Sequence, residues 1–196
     1  MSTRLANRAE TVEMVCEALE KGDRQKAGEL IRSRYPFDPP VDRRRAFTKF
    51  ARTRVFLRDG FLDRYSGDRL FFPPVLEVIS ASIPDDFPLH SSSVKMATSH
   101  VAHWELYASV DHVVPVARGG AHEMDNWVTT SFMHNLIKSH WRLDDLGWEL
   151  LPPGRLDEWD GMLGWFMKYA EEREDLMDLR GVKEWRGAAM QAMKEI

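Results

Sequence analysis

Asp111 and His112 stand side by side, and asparagines follow at Asn126 and Asn135. Imidazole titrates near neutral pH, so His112 can take a proton from water. The Asp111 carboxylate and the Asn135 amide oxygen are hard ligands suited to Mg2+ or Mn2+. A base that activates water and a cation that neutralises charge are what phosphodiester hydrolysis needs. Adjacent strand residues point to opposite faces, so Asp111 and His112 can share a site only where the strand ends or twists. Pro115 and Gly119-Gly120 lie where such an ending is needed.

The surrounding elements must bring these residues together. Residues 104–116 read as a strand (Trp104, Leu106, Tyr107, Val110, Val113, Val114), and Gly119-Gly120 permits a tight turn. Residues 127–130 are β-prone, and 131–140 read as a helix carrying Phe132, Met133, Leu136 and Ile137. Strand, loop, strand and helix make a ββα hairpin, which would bring Asp111 close to Asn135. Upstream, residues 5–33 form two helices broken at Gly22-Asp23. A proline-rich connector follows, then a basic helix over 42–57 with Phe47, Phe50 and Phe56 turned inward. Asp59-Gly60 and Ser66-Gly67 bracket a hairpin-like segment, and Pro73-Pro74 opens a short helix, Val75 to Ile83. Residues 84–100 read as exposed and irregular. Downstream, 147–154 is extended, and helices are predicted over 156–173 and 182–195. The fold class is α+β. The expected organisation is an N-terminal helical region (1–45), a core over 46–141 with an insertion at about 68–100, and a C-terminal helical extension (142–196) packed on the core.

Composition excludes some alternatives. The 196 residues hold one cysteine, Cys16, so neither an internal disulfide nor a multi-cysteine zinc site can form. Cys16 is expected to be a small core residue. Neither a secretory leader nor a membrane-spanning run is visible, and a cytoplasmic location is expected. The net charge of −4 speaks mildly against nucleic acid as a partner. Its distribution speaks the other way, since Arg43, Arg44, Arg45, Lys49, Arg52, Arg54 and Arg58 crowd one stretch. A basic run can equally be a solvated helix face.

Taken together, D-H-V-V-P-V-A-R-G-G (111–120), D-N-W-V-T-T (125–130) and N-L-I-K-S (135–139) resemble the HNH nuclease motif in its H-N-N form. The likeness covers 104–141, and a weaker one begins near Arg54. It implies a metal-dependent DNA endonuclease built on a ββα-metal hairpin and using one Mg2+-class ion. His112 would activate water. Asn126 would complete the catalytic set by bracing the loop. Asp111 and Asn135 would bind the metal, with His134, one position away, as the alternative ligand. Arg118, Lys138, Arg52, Arg54 and Arg58 are the candidates for contact with DNA. Many relatives carry two Cys-x-x-Cys pairs around a structural zinc; here Asp63-x-x-Ser66 and Ser131-x-x-His134 stand in those places, so no structural zinc is expected. Trp104, Trp127, Trp141 and the C-terminal helices would hold the hairpin instead. His90, His100, His103, His122 and His140 read as structural or surface residues. The other readings are an inactive DNA-binding or scaffold protein, and a defence or toxin nuclease that needs a protein partner. A two-strand cutter would need a homodimer.

Overall fold

A computed structural model describes residues 3–39, 46–90, 95–179 and 181–195. The chain divides into two units, Met1–Val41 and Asp42–Ile196. Arg43, Arg44 and Arg45 lie outside the described residues. In the first unit α1 (Thr3–Glu20) and α2 (Arg24–Arg34) pack through Ala18, Ala27 and Leu30. Asp23 caps α2 by accepting from the Lys26 amide at 2.9 Å. Cys16 is exposed rather than in the core. The buried stripe of α1 runs through Thr11 and Ala18, about two turns apart, and Cys16 falls off it.

The second unit is α+β. In chain order come α3 (Lys49–Arg58), α4 (Pro73–Ser82), the single turn α5 (Ala102–Glu105), β1 (Ala108–His112), β2 (Trp127–Ser131), α6 (Phe132–Lys138), the single turn α7 (Leu143–Leu146), α8 (Leu163–Glu171) and α9 (Val182–Ala192). β1 and β2 pair antiparallel, with Asp111 opposite Val128 and His112 opposite Trp127. α6 leaves β2 with no linking residue, and the Ser131 hydroxyl caps it by accepting from the His134 amide at 3.0 Å. The core joins Val55 and Phe56 of α3, Phe61, Phe72, Val110 of β1, Phe166 of α8 and Trp185 of α9. The Phe72 ring lies 5.4 Å from both Phe166 and Trp185, edge-on to each. No helix among the described residues is long and apolar enough to cross a membrane.

Several elements differ from the sequence reading. The first strand is limited to Ala108–His112, because residues 102–105 take a helical turn that buries Ala102, His103 and Trp104. α8 begins at Leu163 rather than 156. Gly161 and Met162 are left-handed (φ 64° and 59°), and the Asp160 carboxylate accepts from the Met162 and Gly164 amides. A Cβ on Gly161 would come within 2.4 Å of the Phe61 ring, so only glycine fits. The segment read as an insertion supplies Leu70, Phe72, Val75 and Val78 to the core. On α6, Leu136 and Ile137 are exposed, and Lys138 is fully buried.

The hairpin hangs on two fully buried carboxylates. Asp59 accepts from the Thr129 amide at 2.7 Å, and Asp63 from the Ser131 amide at 2.8 Å. Residues two apart on a strand present their amides to the same edge. The two aspartates therefore close the edge of β2 that β1 leaves open. The Arg64 amide donates to Thr129 O at 2.9 Å on that edge. Asp59 is neutralised by Arg58 and Arg64, each with a nitrogen 2.9 Å from Oδ1. Breaking a buried ion pair by removing one partner costs about 3–5 kcal/mol. Asp59→Ala should therefore lower the unfolding free energy by about that amount, read as a fall in the urea midpoint, whereas a loss under about 1 kcal/mol would mean the edge is held by something else.

Candidate active site

The sharp end of β1 sets the site. Asp111 is buried, and its Oδ2 takes two donors: the Tyr65 hydroxyl at 2.8 Å and the Lys138 ammonium at 2.8 Å. Lys138 also donates to the His112 carbonyl at 2.7 Å. One buried cation of α6 thus fastens the last two residues of β1. Burial, then the adjacent Asp111 charge, pushes the Tyr65 hydroxyl far above the ordinary tyrosine range, so it stays a donor. Asn135, one turn earlier on α6, donates to Ser109 Oγ at 2.7 Å and to Val110 O at 3.1 Å.

The loop between the strands folds back on Asn126. Its Nδ2 donates to Val114 O at 2.9 Å and to Ala121 O at 2.8 Å, and its Oδ1 accepts from the Val114 amide at 2.9 Å. A Cβ on Gly120 would lie 1.9 Å from Val114 O, so the fold-back requires glycine. The result is that His122 returns to His112, with His122 Nδ1 2.9 Å from His112 Nε2. Phe47 lies against both rings at 5.2 Å, and Trp127 lies edge-on to His112.

Asp111 and His112 thus end β1 with different surroundings: Asp111 meets Tyr65 and Lys138, whereas His112 lies against Phe47, His122 and Trp127. Asn126 closes the loop beyond them, and Asn135 reaches β1 at Ser109 and Val110. The remaining candidates are placed differently. His134 is engaged with Asp63, Nδ1 to Oδ2 at 2.7 Å, and so belongs to the bracing network rather than to the Asp111 end. Lys138 has no exposed surface to offer a nucleic acid. Arg58 spends its guanidinium on Asp59, Met124 O and Trp127 O. Arg54 pairs with Glu195 at 3.0 Å. Arg52 lies over the Phe47 ring at 6.0 Å, with its Nε buried and lacking a hydrogen-bond partner. Arg118 is half-buried in the short 3-10 turn Val116–Arg118. Sequence reasoning missed Tyr65, for which no motif signalled a role. It also passed over His122, although Asn126 and the Gly-Gly turn already implied a folded-back loop.

The donor set decides which metal would fit. Mg2+ is commonly held by one or two carboxylates, with waters and substrate phosphates completing the shell. Asp111 Oδ1 lies outside both bonds that Oδ2 accepts, and the Asn135 oxygen lies outside both bonds its nitrogen donates. Among the described residues no three His, Cys, Asp or Glu side chains gather as a metal cage. The residues fit a hard cation bound loosely through few oxygens, and do not fit a tightly caged one. Compared with models of protein families, with curated proteins and with solved structures, the chain matches none.

Lys138→Met removes the cation but keeps the stem, leaving Asp111 buried beside an apolar chain. It should cost about 3–5 kcal/mol in denaturant unfolding; a neutral outcome would show that the pair does not hold β1 to α6. Alkaline titration checks the tyrosines. Tyr65 and Tyr107 are both raised, chiefly by burial, so folding favours their neutral forms. That stability is present below the unfolded tyrosine pKa of about 10 and is lost as pH rises beyond it. Ultraviolet titration should show these two phenols ionising only as the chain unfolds.

Proposed function

We propose that residues 42–196 form a metal-dependent DNA endonuclease of the HNH type. The observation that supports the reading is a hairpin of two antiparallel strands running straight into a helix, with Asp111 and His112 at the end of the first strand, Asn126 holding the loop and Asn135 bonded from the helix to the first strand. The Asp63-x-x-Ser66 and Ser131-x-x-His134 positions lend further support. Where relatives of this type hold zinc, Asp63 bonds to both Ser131 and His134, while Ser66 turns to Asp68 at 2.6 Å. Hydrogen bonds take the place of the metal staple, with Trp104 buried beneath and Trp141 left exposed.

In this reading His112 takes the proton of the attacking water. Asp111 and Asn135 hold the cation, which when bound supplies positive charge for the phosphate and the leaving 3′ oxygen. Asn126 keeps the loop closed, and Lys138 holds the ends of β1 and α6 in register. Arg118 and the basic stretch before α3 are the candidates for phosphate contact. A second reading, a DNA-binding or scaffold protein without catalysis, has one observation in its favour: Lys138 already offsets the Asp111 charge.

Plasmid cleavage in Mg2+, Mn2+ or EDTA separates the two. The wild-type chain should cut with metal, and His112→Ala should cut about 10²–10⁴-fold more slowly, as loss of a general base predicts. Equal cutting by the two proteins would remove His112 from the mechanism. Binding of plasmid with no cutting in any metal would establish the second reading.

A further inference from the structure

We propose that His122 is the positioning residue for His112: His122 Nδ1 accepts the His112 Nε2–H and so fixes the tautomer whose Nδ1 carries the lone pair. The inference rests on reading His112 as the base. A neutral imidazole offers one donor and one acceptor nitrogen, and the partner of one nitrogen decides the role of the other. With Nε2 of His112 and Nδ1 of His122 only 2.9 Å apart, one of them must carry the proton between them. If it sits on His112, His122 is protonated on Nε2 and the lone pair of His112 lies at Nδ1. If it sits on His122, His112 is locked as the wrong tautomer for a base.

The contact is built into the fold. Asn126 grips Ala121, the residue before His122, and Val114, two residues beyond His112, with a single side chain. Gly120 allows the approach that this grip needs. Phe47 then covers both imidazoles, which lie 5.2 Å apart and tilted by 36°. Trp127, paired with His112 across the hairpin, approaches the His122 ring to 5.0 Å. The two rings thus share one aromatic clamp, and neither can rotate without disturbing Phe47.

The test is long-range nitrogen–proton NMR of the imidazoles in the whole chain, alongside plasmid cleavage. His112→Gln assigns the His112 signals. The variants are His122→Ala, which removes the acceptor, and His122→Asn, whose amide oxygen can stand near the lost Nδ1. Wild type and His122→Asn should show His112 protonated at Nε2, and His122→Ala should show mixed tautomers. Cleavage by His122→Ala should fall about tenfold in kcat with KM little changed, the scale seen when the partner of a functional histidine is lost. His122→Asn should restore most of that rate. A wild-type His112 protonated at Nδ1, or an unchanged His112 tautomer in His122→Ala, would overturn the inference. If the wild-type chain cleaves no DNA in any metal, the nuclease reading fails while the spectra still decide whether His122 positions His112.

Discussion

Two buried carboxylates, Asp59 and Asp63, receive the backbone amides of Thr129 and Ser131 and fasten the hairpin to the turn after α3. A two-stranded hairpin is at best marginally stable by itself. An open edge also leaves donors and acceptors that must be satisfied once buried. Here the turn after α3 supplies both partners, and Arg58 and Arg64 supply the charge that lets Asp59 stay buried. The dependence extends outward. Arg58 is tied to the loop and to β2 through Met124 O and Trp127 O, so the same guanidinium that neutralises Asp59 also steadies the approach to His112.

At the end of β1 the constraint is ionic. Lys138 and Asp111 are both buried, and each removes the penalty the other would carry alone. The pair holds β1 against α6 while occupying only one carboxylate oxygen. The pair thus makes the end of β1 rigid, and Lys138 reduces the negative charge that Asp111 would present to any cation. A loosely held ion that shares its shell with substrate oxygens is the chemistry compatible with that balance.

The elements that could be read from the sequence are those decided locally. The β-prone runs around Val110 and Thr129, the Gly-Gly turn and the helix after Ser131 needed no distant partner. Elements decided from afar were misjudged. The burial of Lys138 depends on Asp111, outside its own helix, so from the sequence it read as a candidate for contact with DNA. The late start of α8 depends on the Phe61 ring pressing on Gly161. Asp63 was noticed only as a poor zinc ligand, and its partners on β2, the Thr130 hydroxyl and the Ser131 amide, lie 67 and 68 positions away. At the site, Asp111, His112, Asn126 and Asn135 stood out by type and spacing. Tyr65 and His122 did not, because their roles arise only once the chain has folded back.

The separation of Asp59 and Asp63 from β2 has a consequence for the order of folding. The hairpin and α6 are contiguous, and closing their short loops costs little chain entropy. The contacts that secure them span 67 to 70 residues and must wait for α3 to meet β2. The Asp-His pair lies between these partners in the chain and acquires its fixed geometry only when that long closure is complete. The chemistry proposed for it would therefore switch on only with that closure, and a chain that lacked it would be chemically silent.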